Sequence, residues 1–325
     1  LILITGATGF LGHNLCEHLA RQGYSLRALA RPSSDTAFLD ALGIEVAIGD
    51  VTNPDSVCAA MQGCDQVVHA AALFRLWGPP EPFVRTNVEG TGHVLGSALA
   101  NGVKKFIHIS TIIVVGPQKS GVIITEGTPC EPYPTDNYAN TKCRGGRLAL
   151  SYVEKGLPVV VLRLGALYGP YGHYAFNRLF FEEFLNNWRV QVHRGRHIIF
   201  PCYVGDAARA IEAALIRGRV GEIYNISNKS ITHREANETV SRLARRSSWR
   251  VNVPGWIMIE CARFLEFLAR FTGQEPFYPL NLVPYVFDDW TVDSSKAERE
   301  LGFVSSTFAE GAQRTLDWYR SIGYL

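Results

Sequence analysis

The segment Thr5-Gly6-Ala7-Thr8-Gly9-Phe10-Leu11-Gly12 follows directly on the apolar run Leu1-Ile2-Leu3-Ile4 and opens a helical stretch at 10–22. Glycines at such a junction let the backbone turn tightly and approach a pyrophosphate. The phosphate charge then faces the free N–H groups and positive dipole end of the helix. A glycine pattern by itself is weak evidence; its place between a strand and a helix gives it meaning. The N-terminal half has the matching rhythm. Short runs rich in Val and Ile at 1–5, 25–30, 44–48, 66–70, 104–109 and 159–164 read as strands, most of them apolar on both sides. Strands covered on both faces look like this. Helical stretches near 54–61, 83–101 and 136–155 fall between them. The expected fold is α/β, a doubly wound parallel sheet with a smaller C-terminal α+β lobe.

After Arg163 the rhythm changes. Helices near 176–188 and 205–217 precede a strand at 223–226, and Thr232-x-x-Glu235 and Thr307-x-x-Glu310 each read as a capping box that starts a helix. The division that follows is a dinucleotide-binding domain of residues 1–165 plus about 200–228. Residues of about 166–199 plus 229–325 make the substrate lobe.

Composition narrows the functional classes. Hydrophobic residues are 47% of the 325, charged residues 19%, and the formal net charge is +2. That apolar content excludes disorder, and the near-neutral balance lacks the basic face of a nucleic-acid binder. No apolar run is long enough to span a membrane. The best candidate, 256–271, carries Glu260, Arg263, Glu266 and Arg270 at helical spacing and reads as an amphipathic helix over the pocket. The opening strand is too short for a secretory signal, so a cytoplasmic protein with reduced, mostly core-filling thiols is expected. The seven cysteines form no C-x-x-C, and the nine histidines show no paired zinc spacing, so no metal site is expected. His69, alone on a strand, reads as a core or cofactor-side histidine.

The second strand ends at Arg31, followed by Pro32-Ser33-Ser34, where an NAD-selective site usually places a carboxylate for the ribose hydroxyls. A guanidinium there suits a 2′-phosphate, which favours NADP(H), with NAD(H) as the alternative. Asp50, with Val51 beside it, suits the adenine side, and Ala70-Ala71-Ala72 after the fourth strand leaves room for the adenosine. Tyr138 and Lys142 stand one helical turn apart on one face. A nearby ammonium is expected to stabilise the phenolate of a tyrosine, a poor base on its own at neutral pH. Ser110 and Thr111 follow the fifth strand, at the carboxyl edge where open α/β sheets bind ligands.

Together TGATGFLG at 5–12, HAAA at 69–72, Asn87 in RTNVEGT, Ser110-Thr111, Tyr138-x-x-x-Lys142 and Tyr168-Gly169-Pro170 resemble the extended branch of the short-chain dehydrogenase/reductase superfamily. VGDAARA at 204–210 and SKAERELG at 295–302 extend the likeness almost to the end. The resemblance implies a Rossmann domain, Tyr138 as acid/base, and Lys142 as its electrostatic and ribose-binding partner. It also implies Thr111, with Ser110 beside it, as the hydroxyl that binds the substrate oxygen. Gly6, Thr8, Gly9, Phe10, Leu11 and Gly12 are implied in cofactor binding, as are Asn87, Leu164 and Leu167 on the nicotinamide side. A homodimer is what the family suggests.

For the substrate, Ile198–Cys202 and Val286–Trp290 lack the cations that nucleotide-sugar members bring to a diphosphate; Arg194 and Arg196 lie just upstream of the first. The segments 73–80 and 289–293 resemble the dihydroflavonol-reductase and 3β-hydroxysteroid-dehydrogenase side of the branch. The first also resembles hopanoid-associated sugar epimerases. Phe74, Trp77, Tyr168 and Phe176 are the expected substrate contacts, with Tyr171 and Tyr174 near them. The expectation is an oxidoreductase interconverting a secondary alcohol and a ketone on a relatively apolar small molecule. A nucleotide-sugar epimerase or dehydratase and a non-catalytic cofactor-binding sensor are the rivals.

Overall fold

A computed structural model describes residues 1–324. Its central sheet contains β1 (Ile2–Thr5), β2 (Leu26–Ala30), β3 (Glu45–Ile48), β4 (Gln66–His69), β5 (Lys105–Thr111), β6 (Val159–Leu164) and β7 (Ile223–Ile226). All neighbours pair in parallel, in the order β7-β6-β5-β4-β1-β2-β3. The helices packed on the sheet are α1 (Phe10–Arg21), α2 (Pro54–Met61), α3 (Gly90–Ala100), α4 (Asn137–Ser151) and α5 (Val204–Arg217).

Strand alternation sends neighbouring side chains into separate cores. Ile2 and Ile4 of β1 pack with Leu15 and Leu19 of α1 and Ile211 of α5. Leu3 between them packs with Val57 of α2, Leu95 of α3 and Ala149 of α4. Both faces are therefore covered, which is why all six residues of β6 are buried and apolar residues line both sides of the run. The fold is the expected doubly wound Rossmann type. The strand order reverses between β1 and β4, so a crevice opens at the carboxyl ends of those two strands.

The C-terminal lobe has its own core of Phe181, Phe184, Val240, Leu316 and Tyr319, among others. Its helices are α6 (His233–Leu243), α7 (Gly255–Thr272) and α9 (Phe308–Ser321); α8 (Ser295–Leu301) precedes α9 in the chain. Both expected capping boxes are present, Thr232 with Glu235 and Thr307 with Glu310. Residues 204–226 join the sheet layer through α5 and β7. Pro201–Tyr203 pairs with Ala166–Tyr168 outside the main sheet. Ala297 and Leu301 of α8, with Phe303, belong to the core under the sheet, not to the lobe.

Two expectations are corrected. Cys130 and Cys143 are paired through their sulfurs, with Cα atoms 6.1 Å apart, because α4 presents Cys143 to the loop before it. Cys16, Cys64 and Cys202 are the buried thiols; Cys58 and Cys261 are exposed. On α7 the polar stripe is not the only face left to solvent: Trp256, Phe264, Phe267, Leu268 and Phe271 are exposed as well. Among the described residues, no helix is long and apolar enough to cross a membrane.

Candidate active site

The crevice at the strand-order reversal is tightly built. Gly6 has φ +74°, and a Cβ there would lie 2.7 Å from the Ala71 backbone nitrogen, so β1 and β4 approach each other through a bare backbone. A Cβ on Gly12 would lie 2.0 Å from the Gly6 carbonyl oxygen. These two glycines let the loop fold onto the first turn of α1. That helix starts at Gly9 with no side-chain cap and no acid in its first turn. Its free N–H groups are available to an anion. The arrangement fits a dinucleotide pyrophosphate.

His69 clamps this crevice from within. Its Nδ1 lies 2.8 Å from Thr5 Oγ1 and its Nε2 2.9 Å from Thr91 Oγ1. Burial first, and the Lys142 charge second, lower its pKa to about 3, so it is a neutral core histidine.

A cavity of about 330 Å³ runs from the glycine loop, past the ends of β4, β5 and β6, to the lobe. Gly6, Gly9, Phe10, Leu11, Gly12, Ala70, Ala72, Leu164 and Leu167 line one part of it. Ser110, Thr111, Tyr138 and Lys142 line it as well, as do Phe74 and Phe176. Thr111 ends β5 and Tyr138 starts α4, so the carboxyl edge of the sheet brings these residues together from distant parts of the chain. Asp136 caps α4 by accepting from the Ala139 N–H at 2.9 Å, and Tyr285 donates to its other oxygen. This contact joins the lobe to the turn that carries Tyr138.

Electrostatics at Tyr138 differ from the sequence expectation. Burial, with the Asp136 charge adding to it, pushes the phenol above its ordinary pKa. Lys142 does not offset this: its Nζ donates to the Ile109 carbonyl at 2.6 Å, and burial lowers its own pKa to about 8. Desolvation at this depth outweighs the expected phenolate stabilisation. The phenol is held protonated. Among the described residues, no hydrogen bond occupies the hydroxyls of Ser110, Thr111 or Tyr138.

Several expected residues lie off the cavity. Leu76 is drawn inward because its N–H donates to Tyr174 Oη at 3.0 Å and Glu275 Oε1 at 2.9 Å, so its neighbour Trp77 lies outside the lining. Tyr168 is fully buried in the lobe core, its ring centroid 5.2 Å from that of Phe176. Tyr171 stacks on His13 at 3.8 Å. Asn87 is buried in a π-helical turn, where it bonds the Leu73 backbone and Thr141 Oγ1, tying the loop after β4 to α4. It is a positioning residue and not part of the lining. Ala71 contributes its backbone beneath Gly6, and Val51 packs in the core. Asp50 Oδ1 accepts from the Thr52 N–H. Arg31 is exposed at the end of β2, and Thr8 reaches the following segment by donating to Ser34 Oγ at 3.4 Å.

The cavity also includes residues with no sequence signal of their own. Leu179, Phe180, His233, Leu282 and Tyr285 complete the lobe wall, beside Tyr174, which the sequence places near the substrate. Ile199, Phe200 and Val286 fall on it too, in the two segments that lack cations. Arg194 and Arg196 are exposed and outside the lining.

Comparison with known proteins agrees with this geometry. A ketoreductase acting on 4-hydroxy-2-methyl-3-oxo-4-farnesyl-3,4-dihydroquinoline-1-oxide in Stigmatella aurantiaca is 28% identical over 98% of this chain and 96% of its own. The dTDP-glucose 4,6-dehydratase of Streptomyces antibioticus is 30% identical over 98% of this chain and 92% of its own. A crystal structure of a double mutant of DesIV, a dTDP-glucose 4,6-dehydratase from Streptomyces venezuelae with NAD bound, superposes with a TM-score of 0.79. It shares 26% identity, covering 100% of this chain and 98% of that one. The family model of the NAD dependent epimerase/dehydratase family matches residues 2–227. The chain thus belongs to the NAD-dependent epimerase/dehydratase family, the extended short-chain dehydrogenases/reductases, and is an NAD(P)-binding enzyme.

Proposed function

We propose that the protein is an NADP(H)-dependent reductase that interconverts a ketone and a secondary alcohol on an apolar body. The observation carrying this reading is the make-up of the cavity wall. No Asp, Glu or Arg is among its lining residues, and Phe74, Phe176, Phe180 and Phe200 face the same space as Tyr138. A substrate diphosphate buried there with no arginine to pair it, and with the lysine already bonded to Ile109, would carry a large desolvation cost. Elimination of water from a sugar needs an acid and a base beyond the tyrosine, and the wall supplies no carboxylate for that.

Bound nicotinamide supplies or accepts the hydride at the carbinol carbon. In the reducing direction Tyr138, which its raised pKa holds protonated in the resting site, donates its phenolic proton to the substrate oxygen. Thr111, with Ser110 beside it, donates a hydrogen bond to the same oxygen and fixes its position. Lys142, one turn along α4, keeps N–H groups for the cofactor ribose beyond the one given to Ile109. The apolar walls exclude water, which strengthens each of these interactions. Arg31, with no carboxylate beside it at the end of β2, supports the NADP(H) preference.

The test is nicotinamide absorbance over time, with NADPH and a panel of apolar ketones and, separately, nucleotide sugars. Loss of NADPH on a ketone supports the proposal. Conversion of a sugar without net loss of NADPH replaces it with the epimerase or dehydratase reading, which the Streptomyces relatives favour.

A further inference from the structure

Behind the candidate active site lies a second cavity of about 100 Å³, lined from α7 by Met258 and Ala262. Leu179, Phe180, His233, Leu282 and Val286 line both cavities and so form the wall between them. His233 is the polar member of that wall. It is the first residue of α6, held by its backbone N–H donating to the His197 carbonyl at 3.0 Å, with its ring 5.3 Å from that of Phe180.

His233 Nε2 is shut away from solvent and has no hydrogen-bond partner. Burial lowers the pKa of the ring to about 4, although the ring bonds the Tyr285 backbone, which leaves Nε2 as its acceptor nitrogen. A neutral imidazole nitrogen sealed among apolar side chains leaves a hydrogen bond unmade, which an apolar residue in the same place would not do. On the far side of the second cavity the pattern repeats. Glu183 Oε2 accepts from the Tyr278 hydroxyl at 2.8 Å, while its Oε1 is buried without a hydrogen bond, 4.0 Å from Arg178 Nε. Nothing in the proton and hydride chemistry at Tyr138 uses either group.

We propose that His233 is a specificity residue, accepting a hydrogen bond through Nε2 from a hydroxyl that the substrate carries remote from its reacting carbon. The substrate is then a bifunctional apolar molecule that reaches from Tyr138 to the wall between the cavities. The inference rests on the ketone–alcohol reading for the position of the reacting carbon. It goes beyond it by requiring a second oxygen function. That function takes the partner that Nε2 lacks, and a substrate without it leaves the nitrogen unpaired. Discrimination by an unpaired buried polar group is steeper than discrimination by apolar bulk alone.

The experiment compares trans-2-decalone with a 6-hydroxy-2-decalone on the full chain. Turnover is followed with NADPH, and binding to the NADP⁺-loaded protein is followed by calorimetry. The wild type is expected to prefer the hydroxylated ketone at least tenfold, through KM more than kcat. In His233→Phe the ratio between the two ketones falls to near one. His233→Leu serves the same comparison if the phenylalanine variant fails to fold by thermal melting. Equal behaviour of the two ketones in the wild type, absence of binding included, overturns the proposal, as does a preference that persists in the variants. A binding preference that depends on His233 without NADPH consumption upholds this site and overturns the reductase reading instead.

Discussion

Lys142 donates through Nζ to the main-chain carbonyl of Ile109 at 2.6 Å, so the helix that carries Tyr138 is anchored to the strand that carries Ser110 and Thr111. One hydrogen bond thus sets the relative position of the two elements on which the chemistry depends. It also fixes a cation in a site where burial opposes its charge.

Lys142 therefore has a stability cost in the cofactor-free protein. Its pKa falls from 10.5 to about 8 on folding. The unfolded chain binds more protons between those values, so stability rises with pH across that window. Lys142→Met is expected to raise the melting temperature of the cofactor-free protein at pH 7, by up to about 3 kcal/mol of stability at 1.4 kcal/mol per pKa unit. The same variant is expected to lose dinucleotide affinity, measured by NADPH fluorescence. A melting temperature that is lower at pH 7 contradicts the desolvation argument.

Tyr138→Phe is expected to lose turnover by at least about a hundredfold while cofactor affinity is retained, because the phenol moves a proton and does not form the phosphate loop. Turnover at the wild-type rate removes Tyr138 from the mechanism.

Arg31→Ala is expected to weaken NADPH by about 1.5–3 kcal/mol, the range for a hydrogen bond to a charged group, and to leave NADH nearly unchanged. Titration of both cofactors against both proteins decides this. Equal weakening of the two refutes the NADP(H) preference.

Gly12→Ala tests the crevice. The added methyl would lie 2.0 Å from the Gly6 carbonyl oxygen and 2.6 Å from Ala7 Cα, backbone that cannot move aside cheaply. Overpacking of this kind costs about 1–3 kcal/mol. Thermal melting should show that loss, and NADPH fluorescence titration should show binding abolished. Unchanged binding would mean that the loop does not hold the pyrophosphate.

Glu183 predicts a second pH dependence, of opposite sign to that of Lys142. Burial raises its pKa to about 7, against 4.5 in the unfolded chain. The folded state binds more protons between these values, so stability falls as pH rises from 4.5 to 7. Glu183→Gln should flatten that part of the denaturation profile; an unchanged slope would show that Glu183 ionises freely in the folded chain.

Much of the fold was legible because its signals are local. The glycine loop needs only a strand before it and a helix after it. The double apolar coverage of Val159–Leu164 follows from a run whose one polar member is Arg163, and the two capping boxes are four-residue patterns. Parts of the candidate site were legible for the same reason: Tyr138 and Lys142 lie one turn apart, and Ser110-Thr111 ends a strand.

The lobe side of the site was not. Trp77 and Leu76 are adjacent apolar residues, and only the hydrogen bonds that the Leu76 N–H donates to Tyr174 and Glu275 decide that Leu76 turns inward. Tyr168 and Phe176 are equally aromatic, yet the first is lost to the core and the second lines the cavity. On α7, helical spacing placed the charges correctly but not the exposed Trp256 and Phe264, since which face is covered depends on what packs against it. The pairing of Cys130 with Cys143 depends on where a loop returns to a helix.

Local residue chemistry was therefore sufficient for the α/β class, the phosphate loop and the tyrosine–lysine pair, each encoded within a few consecutive residues. The pocket wall, the raised pKa of Tyr138 and the unpaired nitrogen of His233 arise from desolvation and packing between segments tens of residues or more apart. Burial is a property of the whole folded chain, and tertiary structure alone assigns it.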